Sequence, residues 1–209
     1  LRKANTAFDG QFEIPTFEEI ILLAKAKEKE SGRRIGIYPE TKHPSYFASI
    51  GLPHEAPLLA MLEKHGYSQK DDPLFIQSFE VGNLKALRSK TQLRLIQLMS
   101  KDDGPADDPA TSYAAMATPE GLKGIARYAD GVGVEKAMIL PRTLLGNLGE
   151  PTALVADAHA AGLDVHAWTF RRENYFLPLG QRSGLNPAAH GDLVSEIKAY
   201  LAAGIDGFF

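Results

Sequence analysis

Short apolar segments alternate with amphipathic helical segments along this chain, and no other feature restricts its possible folds as strongly. The predicted strands cover residues 35–38, 74–79, 93–99, 131–134, 164–170 and 205–209. When a helix separates two strands, the second strand can run parallel to the first, as it does in βαβ units. The sequence therefore predicts an α/β protein with a parallel sheet.

The helical segments have recognisable ends. Thr16 and Glu19 have the spacing of a capping box, which predicts that the first helix begins directly after Thr16. Further helices are predicted at 57–65, 80–89, 119–128, 152–161 and 192–203. Four of the helices are followed by glycine, the residue best suited to a left-handed helix end: Gly32, Gly66, Gly162 and Gly204.

Two longer segments, 100–117 and 169–191, are rich in Asp, Gly, Pro and Arg, and each follows a predicted strand. In a (β/α)8 TIM barrel, the loops after the strands form the active-site face. Such a barrel has eight strands and roughly 250 residues, whereas this chain has 209 residues and six predicted strands. We therefore expect residues 1–209 to be one barrel domain that covers about strands three to eight, truncated at its N-terminus and within its last strand.

An incomplete barrel would leave both edges of its sheet open, a state that natural proteins avoid. We expect these edges to pair with missing strands of the same protein or with another chain. Leu1 is not a natural first residue, so we expect a processed or truncated N-terminus. The first five residues do not open a signal peptide, but in a truncated chain this says little about export.

Composition excludes several classes of function. The formal net charge of −3 and the lack of Lys/Arg runs argue against nucleic-acid binding. With no Cys, the chain can form neither disulfides nor a thiolate metal site. Its apolar runs are shorter than the ~18 residues that would predict a membrane span. A small anionic substrate would have to be bound by local positive charge.

Three polar side chains follow the strand predicted at 35–38: Glu40, Lys42 and His43. A carboxylate, an ammonium and an imidazole directly after a strand usually face a ligand. From spacing alone, Glu40 and Lys42 could equally be a solvated ion pair. The imidazole of His43 titrates near neutral pH and could act as an acid or base, but we favour a packing or hydrogen-bonding role for it.

Several segments, in this order, resemble the glycerophosphodiester phosphodiesterase family, and especially its bacterial periplasmic branch. The match runs from about Phe12 to Phe209. Its most specific part is the corner Tyr-Pro-Glu40-Thr-Lys42-His43-Pro-Ser-Tyr-Phe47. The other matching segments are 13–19, 76–80, 83–88, 97–99, 165–170 and 204–209.

The resemblance implies a metal-dependent phosphodiesterase that releases an alcohol and glycerol 3-phosphate from deacylated phospholipids. In this family, Glu40 occupies the position of a ligand to a divalent cation, Ca²⁺ or Mg²⁺, and Lys42 that of a phosphate contact. Trp168 occupies the position of an aromatic residue that contacts the glycerol. Phe79 ends a strand and could line the same pocket or cap the barrel core. The resemblance also favours a periplasmic or secreted protein.

The chain departs from the family at its catalytic centre. The acid/base histidines of the family lie in a His-Arg-Gly sequence and a His-Asp sequence, and a Glu-x-Asp pair completes its metal site; this sequence contains none of the three. The catalytic residues are therefore unknown, and we expect the 209-residue chain alone to be inactive. The alternative is a non-catalytic barrel relative that binds glycerophosphodiesters or acts as a scaffold. A related enzyme for intact phospholipid is less favoured, because the loops at 100 and 169 are polar.

The remaining candidates have weaker support. His166 precedes Trp168 by two residues and could enter the same pocket. Ser78 could line the pocket, and Glu135 could approach the metal. Other polar residues are expected to be structural: Gln77, Gln97, His65 and His159. The acidic segment 102–108 contains proline and lacks a terminal Glu, so we expect a solvated loop and not a calcium site.

Overall fold

The computed structural model describes residues 3–209, and its sheet has five strands that follow one another in chain order. The strands are β1 Phe75–Ser78, β2 Arg94–Met99, β3 Gly131–Glu135, β4 Asp164–Trp168 and β5 Gly207–Phe208. Each pairs in parallel with the next. The prediction of an α/β protein with a parallel sheet is confirmed.

Helices precede and connect these strands. They are α1 Phe17–Ser31, α2 Pro44–Ser49, α3 Glu55–Lys64, α4 Val81–Arg88, α5 Tyr113–Met116, α6 Pro119–Ile125, α7 Leu154–Ala160 and α8 Leu193–Ala202. Short 3-10 helices cover Lys3–Phe8, Lys136–Met138 and Leu179–Gln181. The predicted capping box is present, since the Thr16 hydroxyl accepts from the Glu19 backbone N–H and the Glu19 carboxylate accepts from that of Thr16. Helices α2 and α5 were not predicted, because segments of six and four residues are too short to show helical periodicity.

The strand predicted at 35–38 is not a regular strand. Residues 35–41, here called the edge segment, lie beside β1 but form only two isolated bridges, Ile37 with Leu74 and Glu40 with Gln77. The register explains the interruption, because Pro39 has no N–H to donate between these bridges. Its carbonyl still accepts from the Gln77 N–H at 3.0 Å. The edge segment therefore follows the sheet without a continuous ladder.

The sheet is strongly curled. In a flat sheet with strands about 4.8 Å apart, the edge segment and β4 would be separated by roughly 19 Å. Yet the Tyr38 hydroxyl lies 2.8 Å from Nδ1 of His166 in β4, and the Tyr38 ring lies 4.7 Å from that of Phe209. The edge segment and β5 share no backbone hydrogen bond in the described part of the chain. The strands therefore form an open, curved sheet, like part of a barrel.

His166 lies inside this curve and does not line the pocket that contains Trp168, which the sequence had allowed it to share. Its ring packs edge-on against Phe75 at 5.0 Å, and the side chain is buried. Burial lowers the pKa of the His166 imidazole, although Asp164 and Asp206 oppose this effect. His166 precedes Trp168, the last residue of β4, by two positions, so it lies deeper in the curve than the end of the strand.

The two faces of the sheet are filled differently. Leu98 points into the curve, where space is so limited that a Cβ on Gly133 would lie 2.5 Å from it. Gln97 points toward the helices and is fully buried. Its amide donates to the Phe79 carbonyl and accepts from the Tyr128 hydroxyl, which confirms its predicted internal role.

None of the helices described between residues 3 and 209 combines the length and the apolar character needed to cross a bilayer.

Candidate active site

Four residues that the sequence singled out meet at one end of the sheet. Glu40 lies at the end of the edge segment and Lys42 directly after that segment, while Phe79 directly follows β1 and Trp168 ends β4. The strands are parallel, so their carboxyl ends lie along the same edge. All four side chains line a pocket of about 250 Å³, here called the Trp168 pocket. Its other lining residues are Gln77, Leu98, Thr169 and Phe209.

Glu40 and Lys42 form an ion pair at the mouth of this pocket. Lys42 Nζ lies 2.7 Å from Glu40 Oε1. The Lys42 side chain is 70% exposed and that of Glu40 is 21% exposed. An ion pair this accessible to water contributes only about 0–1 kcal/mol to stability. The ammonium has three donors, so it can bind an incoming anion while it stays close to Glu40.

Phe79 and Trp168 form an aromatic wall. Their rings meet edge to face, with centroids 5.9 Å apart and planes at 83°. The Trp168 indole N–H donates to the Gly133 carbonyl at 3.0 Å, which fixes the orientation of the ring. A fixed aromatic wall beside an exposed ammonium suits a ligand that has both an anionic group and an apolar or carbon-rich part.

A second pocket adjoins the first, and the two share Glu40, Lys42 and Phe79. It has a volume of about 320 Å³ and is here called the Asp103 pocket. The remaining lining residues come from the end of the edge segment and the corner after it, from the connection between β1 and α4, and from the loop after β2: Thr41, His43, Pro44, Glu80, Ser100, Asp103, Gly104, Ala106 and Tyr113. The ion pair thus lies between two cavities.

His43 lines the Asp103 pocket, in contrast to the packing role expected for it. Its backbone is left-handed, with φ of 47°, and it immediately precedes α2. Its side chain is exposed and makes no hydrogen bond to any residue in the range 3–209. A left-handed conformation is costly for a residue other than glycine, and such residues often occur at functional sites.

Hydrogen bonds to two carboxylates hold the corner and the loop in place. The Glu80 carboxylate, which is 3% exposed, accepts from the Ser45 N–H at the start of α2. The Asp107 carboxylate accepts from the N–H groups of Val81 and Gly82 at the start of α4. Each carboxylate also interacts favourably with the positive end of a helix dipole. The segment 102–108 is therefore not simply a solvated loop.

The described residues do not provide a complete site for a divalent cation. No group of three or more His, Asp or Glu side chains within the described range is placed to hold a metal. Glu135 lies at the same edge of the sheet, but its carboxylate accepts from the Lys101 backbone N–H at 3.0 Å. Ca²⁺ and Mg²⁺ take about six or more oxygen ligands, and Glu40 supplies at most two of them.

Other candidate residues have structural contacts. The Ser78 hydroxyl does not line either pocket and accepts from the Glu80 N–H. His65 pairs with Glu18 at 2.8 Å, and His159 pairs with Asp206 at 2.8 Å, in agreement with the structural roles expected for both histidines. The sequence placed segment 100–117 on the active-site face and its acidic part, 102–108, in a solvated loop, but it did not single out Asp103 or Tyr113 as pocket residues.

Comparison with known proteins identifies the relatives of this chain. The model of the "Glycerophosphoryl diester phosphodiesterase family" matches residues 1–209. The Arabidopsis thaliana glycerophosphodiester phosphodiesterase GDPD6 is 33% identical over an alignment of 184 residues that covers 82% of this chain and 48% of the relative. The glycerophosphodiester phosphodiesterase of Haemophilus influenzae is 30% identical over 184 residues, covering 78% of this chain and 49% of the relative.

Solved structures show the same fold. A crystal structure of a candidate glycerophosphoryl diester phosphodiesterase from Silicibacter pomeroyi superposes with a TM-score of 0.61 at 18% identity, over 94% of this chain and 52% of the other. The glycerophosphodiester phosphodiesterase of Agrobacterium tumefaciens gives a TM-score of 0.52 at 13% identity, over 96% of this chain and 61% of the other. The chain spans about half the length of the curated relatives that it matches.

Proposed function

The chain belongs to the glycerophosphoryl diester phosphodiesterase family, and we propose that the protein hydrolyses glycerophosphodiesters to an alcohol and glycerol 3-phosphate. One observation carries the proposal: the exposed ammonium of Lys42 lies between two pockets, next to Glu40. A phosphodiester has the same arrangement, an anion between two alcohol groups. The names of the relatives agree with this substrate class.

Lys42 would neutralise the phosphate. When the phosphodiester is attacked, the distribution of negative charge over its non-bridging oxygens changes. A cation that stabilises this charge more in the transition state than in the bound substrate lowers the activation barrier. The ion pair with Glu40 keeps Lys42 Nζ at the mouth of both pockets. Because this pair is exposed and weak, a phosphate can bind the ammonium at little cost.

The Trp168 pocket would hold the glycerol. The edges and faces of Trp168 and Phe79 can pack against the carbon chain, while the hydroxyl groups reach the open mouth of the pocket. Gln77 lines the same pocket and offers an amide to a hydroxyl. The indole is held by the Gly133 carbonyl, so the wall does not have to reorganise when substrate binds.

We also propose that a divalent cation, Ca²⁺ or Mg²⁺, takes part, with Glu40 as one ligand. Such a cation would polarise the phosphoryl oxygens. Glu40 is the only carboxylate of the described residues that lines the Trp168 pocket, so it would supply only part of the coordination shell. The ion pair with Lys42 would loosen when a cation binds to Glu40.

The complete domain would be a closed (β/α)8 barrel. The curvature of the sheet supports this proposal, because Tyr38 of the edge segment already contacts Phe209 across the interior. Two further strands between the edge segment and β5 would pair both open edges, and they would carry the acid/base groups of the family. Alternatively, the edges pair with another chain. By the same family resemblance, we propose a periplasmic or secreted protein.

The test is hydrolysis of glycerophosphocholine with added Ca²⁺, with Mg²⁺ and with chelator. We would compare the 209-residue chain with the full-length protein that contains it. We expect the full-length protein to be active. We expect both chelator and Glu40→Ala to abolish that activity. Glu63→Ala, an exposed residue of α3, is the matched control. Turnover by the 209-residue chain alone would show that its own residues suffice for catalysis.

A second candidate function is binding without catalysis. Among the described residues that line the two pockets, His43 is the single histidine, and it is not in an acid/base motif of the family. A folded full-length protein that binds glycerophosphocholine but does not hydrolyse it would favour this candidate. Calorimetric titration on the same preparations measures the binding.

A further inference from the structure

The described lining of the Asp103 pocket has one basic side chain, Lys42, which is paired with Glu40, and two further acidic side chains. Lys42 lies at the end shared with the Trp168 pocket, and it is the only Lys or Arg among the described residues that line this cavity. Asp103 and Glu80 line the cavity as well. The carboxylate of Glu80 is engaged by the Ser45 N–H. That of Asp103 is exposed and has no hydrogen bond to the part of the chain described.

Aromatic rings complete the wall. Phe79 and Tyr113 meet edge to face with their centroids 6.1 Å apart. The Tyr113 hydroxyl donates to the Phe79 carbonyl, which fixes the two rings relative to each other. Aromatic faces attract organic cations, including quaternary ammonium groups. Carboxylates and aromatic rings together are thus suited to a positively charged organic group.

The acidic residues influence the potential around Tyr113. Burial, and to a smaller extent the charges of Asp107, Glu80 and Asp103, together raise the pKa of the Tyr113 phenol to about 12. The negative potential of these carboxylates opposes ionisation of the phenol and would attract a cation. Asp103 also lines the cavity, so the geometry and the electrostatics agree.

The loop is held in this position before any ligand binds. Asp107 anchors it to the first N–H groups of α4, and the Tyr113 N–H donates to the Asp103 carbonyl at 3.0 Å. A Cβ on Gly104 would lie 2.0 Å from the Thr111 carbonyl oxygen, so the turn also depends on glycine. A wall that is already ordered loses little entropy on binding.

We propose that the Asp103 pocket binds the alcohol head group of the substrate and favours a cationic one, such as choline or ethanolamine, over a neutral one. This inference rests on the proposed function, since it assigns the phosphate to Lys42 and the glycerol to the Trp168 pocket. The cationic head group would then lie between the Phe79 and Tyr113 rings and the Asp103 carboxylate. Asp103 determines specificity and takes no part in bond cleavage.

The test compares kcat/KM of the full-length protein for glycerophosphocholine and for glycerophosphoglycerol, whose head group is neutral. Asp103→Asn removes the charge but retains the shape, and Asn tolerates the left-handed backbone of this position, where φ is 67°. One charge contact near the surface is worth about a fivefold preference. We expect Asp103→Asn to reduce the preference for glycerophosphocholine by that factor, with little change for glycerophosphoglycerol.

Asp102→Asn is the matched control, because Asp102 is the exposed neighbour that lines neither pocket. Its substitution should leave the preference unchanged. Equal effects of Asp103→Asn on both substrates, or no effect, would overturn the head-group assignment and leave the phosphodiesterase intact. If the wild-type protein hydrolyses neither substrate, the proposed function fails, and calorimetric titration with phosphocholine decides the inference. Weaker binding to Asp103→Asn than to Asp102→Asn supports it, and equal binding or none overturns it.

Discussion

The Tyr38 hydroxyl and Nδ1 of His166 lie 2.8 Å apart, although 128 residues separate them in the chain. This contact joins the edge segment to β4 across the inside of the curved sheet. Burial lowers the pKa of His166, which favours the neutral imidazole. Nδ1 of the neutral ring can accept a hydrogen bond from the Tyr38 hydroxyl. Tyr38 and His166 each precede a pocket residue, Glu40 and Trp168, by two positions, so the contact helps to set the curvature on which the site depends.

Removal of this hydrogen bond should destabilise the protein. Tyr38→Phe leaves His166 buried with an unsatisfied nitrogen, which costs about 1–3 kcal/mol. Urea unfolding, followed by the fluorescence of Trp168, measures the loss. Tyr46→Phe is the matched control, since the Tyr46 side chain is exposed and its substitution should change the free energy of unfolding very little. Equal stabilities of the two variants would show that the contact contributes nothing.

The free energy of unfolding should decrease as the pH falls through the range in which His166 titrates. The folded-state pKa is lowered below the ordinary value of 6.5, so between the two values the unfolded state binds more protons. The contribution of the neutral His166 to the free energy of unfolding is therefore fully present above about pH 6.5, and it decreases as the pH falls below that value. Urea unfolding at several values between pH 7.5 and 5 measures the slope. His166→Gln, which cannot titrate, should flatten it, and an unchanged slope would assign the effect to other groups.

Gly121 of α6 should be intolerant of a side chain. A Cβ there would collide with the backbone carbonyl oxygens of Ala115 and Met116, and such overpacking costs about 1–3 kcal/mol. Gly124 provides the control, because a Cβ added to this residue of α6 meets nothing within 4 Å. Gly124→Ala should stabilise the helix by about 0.5–1 kcal/mol. Denaturant midpoints of the two variants should therefore move in opposite directions.

Lys42 should matter for catalysis far more than for stability. Loss of one group that stabilises the charge of a transition state costs about 100- to 1,000-fold in kcat. We expect Lys42→Ala in the full-length protein to show a loss of this size in glycerophosphocholine hydrolysis, with a normal unfolding midpoint. Lys123→Ala, an exposed position of α6, serves as the control and should retain full activity. Full activity of Lys42→Ala would show that Lys42 does not stabilise the phosphate.

Trp168 should affect substrate affinity. Trp168→Phe retains an aromatic ring but loses the hydrogen bond to the Gly133 carbonyl and part of the pocket wall. The loss of about 1 kcal/mol of packing corresponds to a roughly fivefold weaker interaction. We expect KM to rise by that factor for glycerophosphocholine and glycerophosphoglycerol alike, because both contain the same glycerol. A change for only one of the two substrates would place Trp168 against the head group.

Much of the fold was determined by local sequence. Thr16 and Glu19 set the start of α1, and Gly66, Gly162 and Gly204 adopt the positive φ expected after helices. Apolar strands separated by helices specified a parallel sheet, since both faces of each strand had to be buried. These features depend on neighbours in the chain, so a single sequence is enough to reveal them.

The candidate site was determined only in part by the sequence. The segment from Tyr38 to Phe47 identified Glu40 and Lys42 as candidate site residues, but the tertiary structure decided that they meet Phe79 and Trp168 in one pocket. It also assigned His166 to the interior and brought Asp103 to the other side of the ion pair. Such placements depend on the curvature of the sheet and on the path of a loop anchored by Asp107. Both arise from contacts between residues far apart in sequence, and no local pattern encodes them.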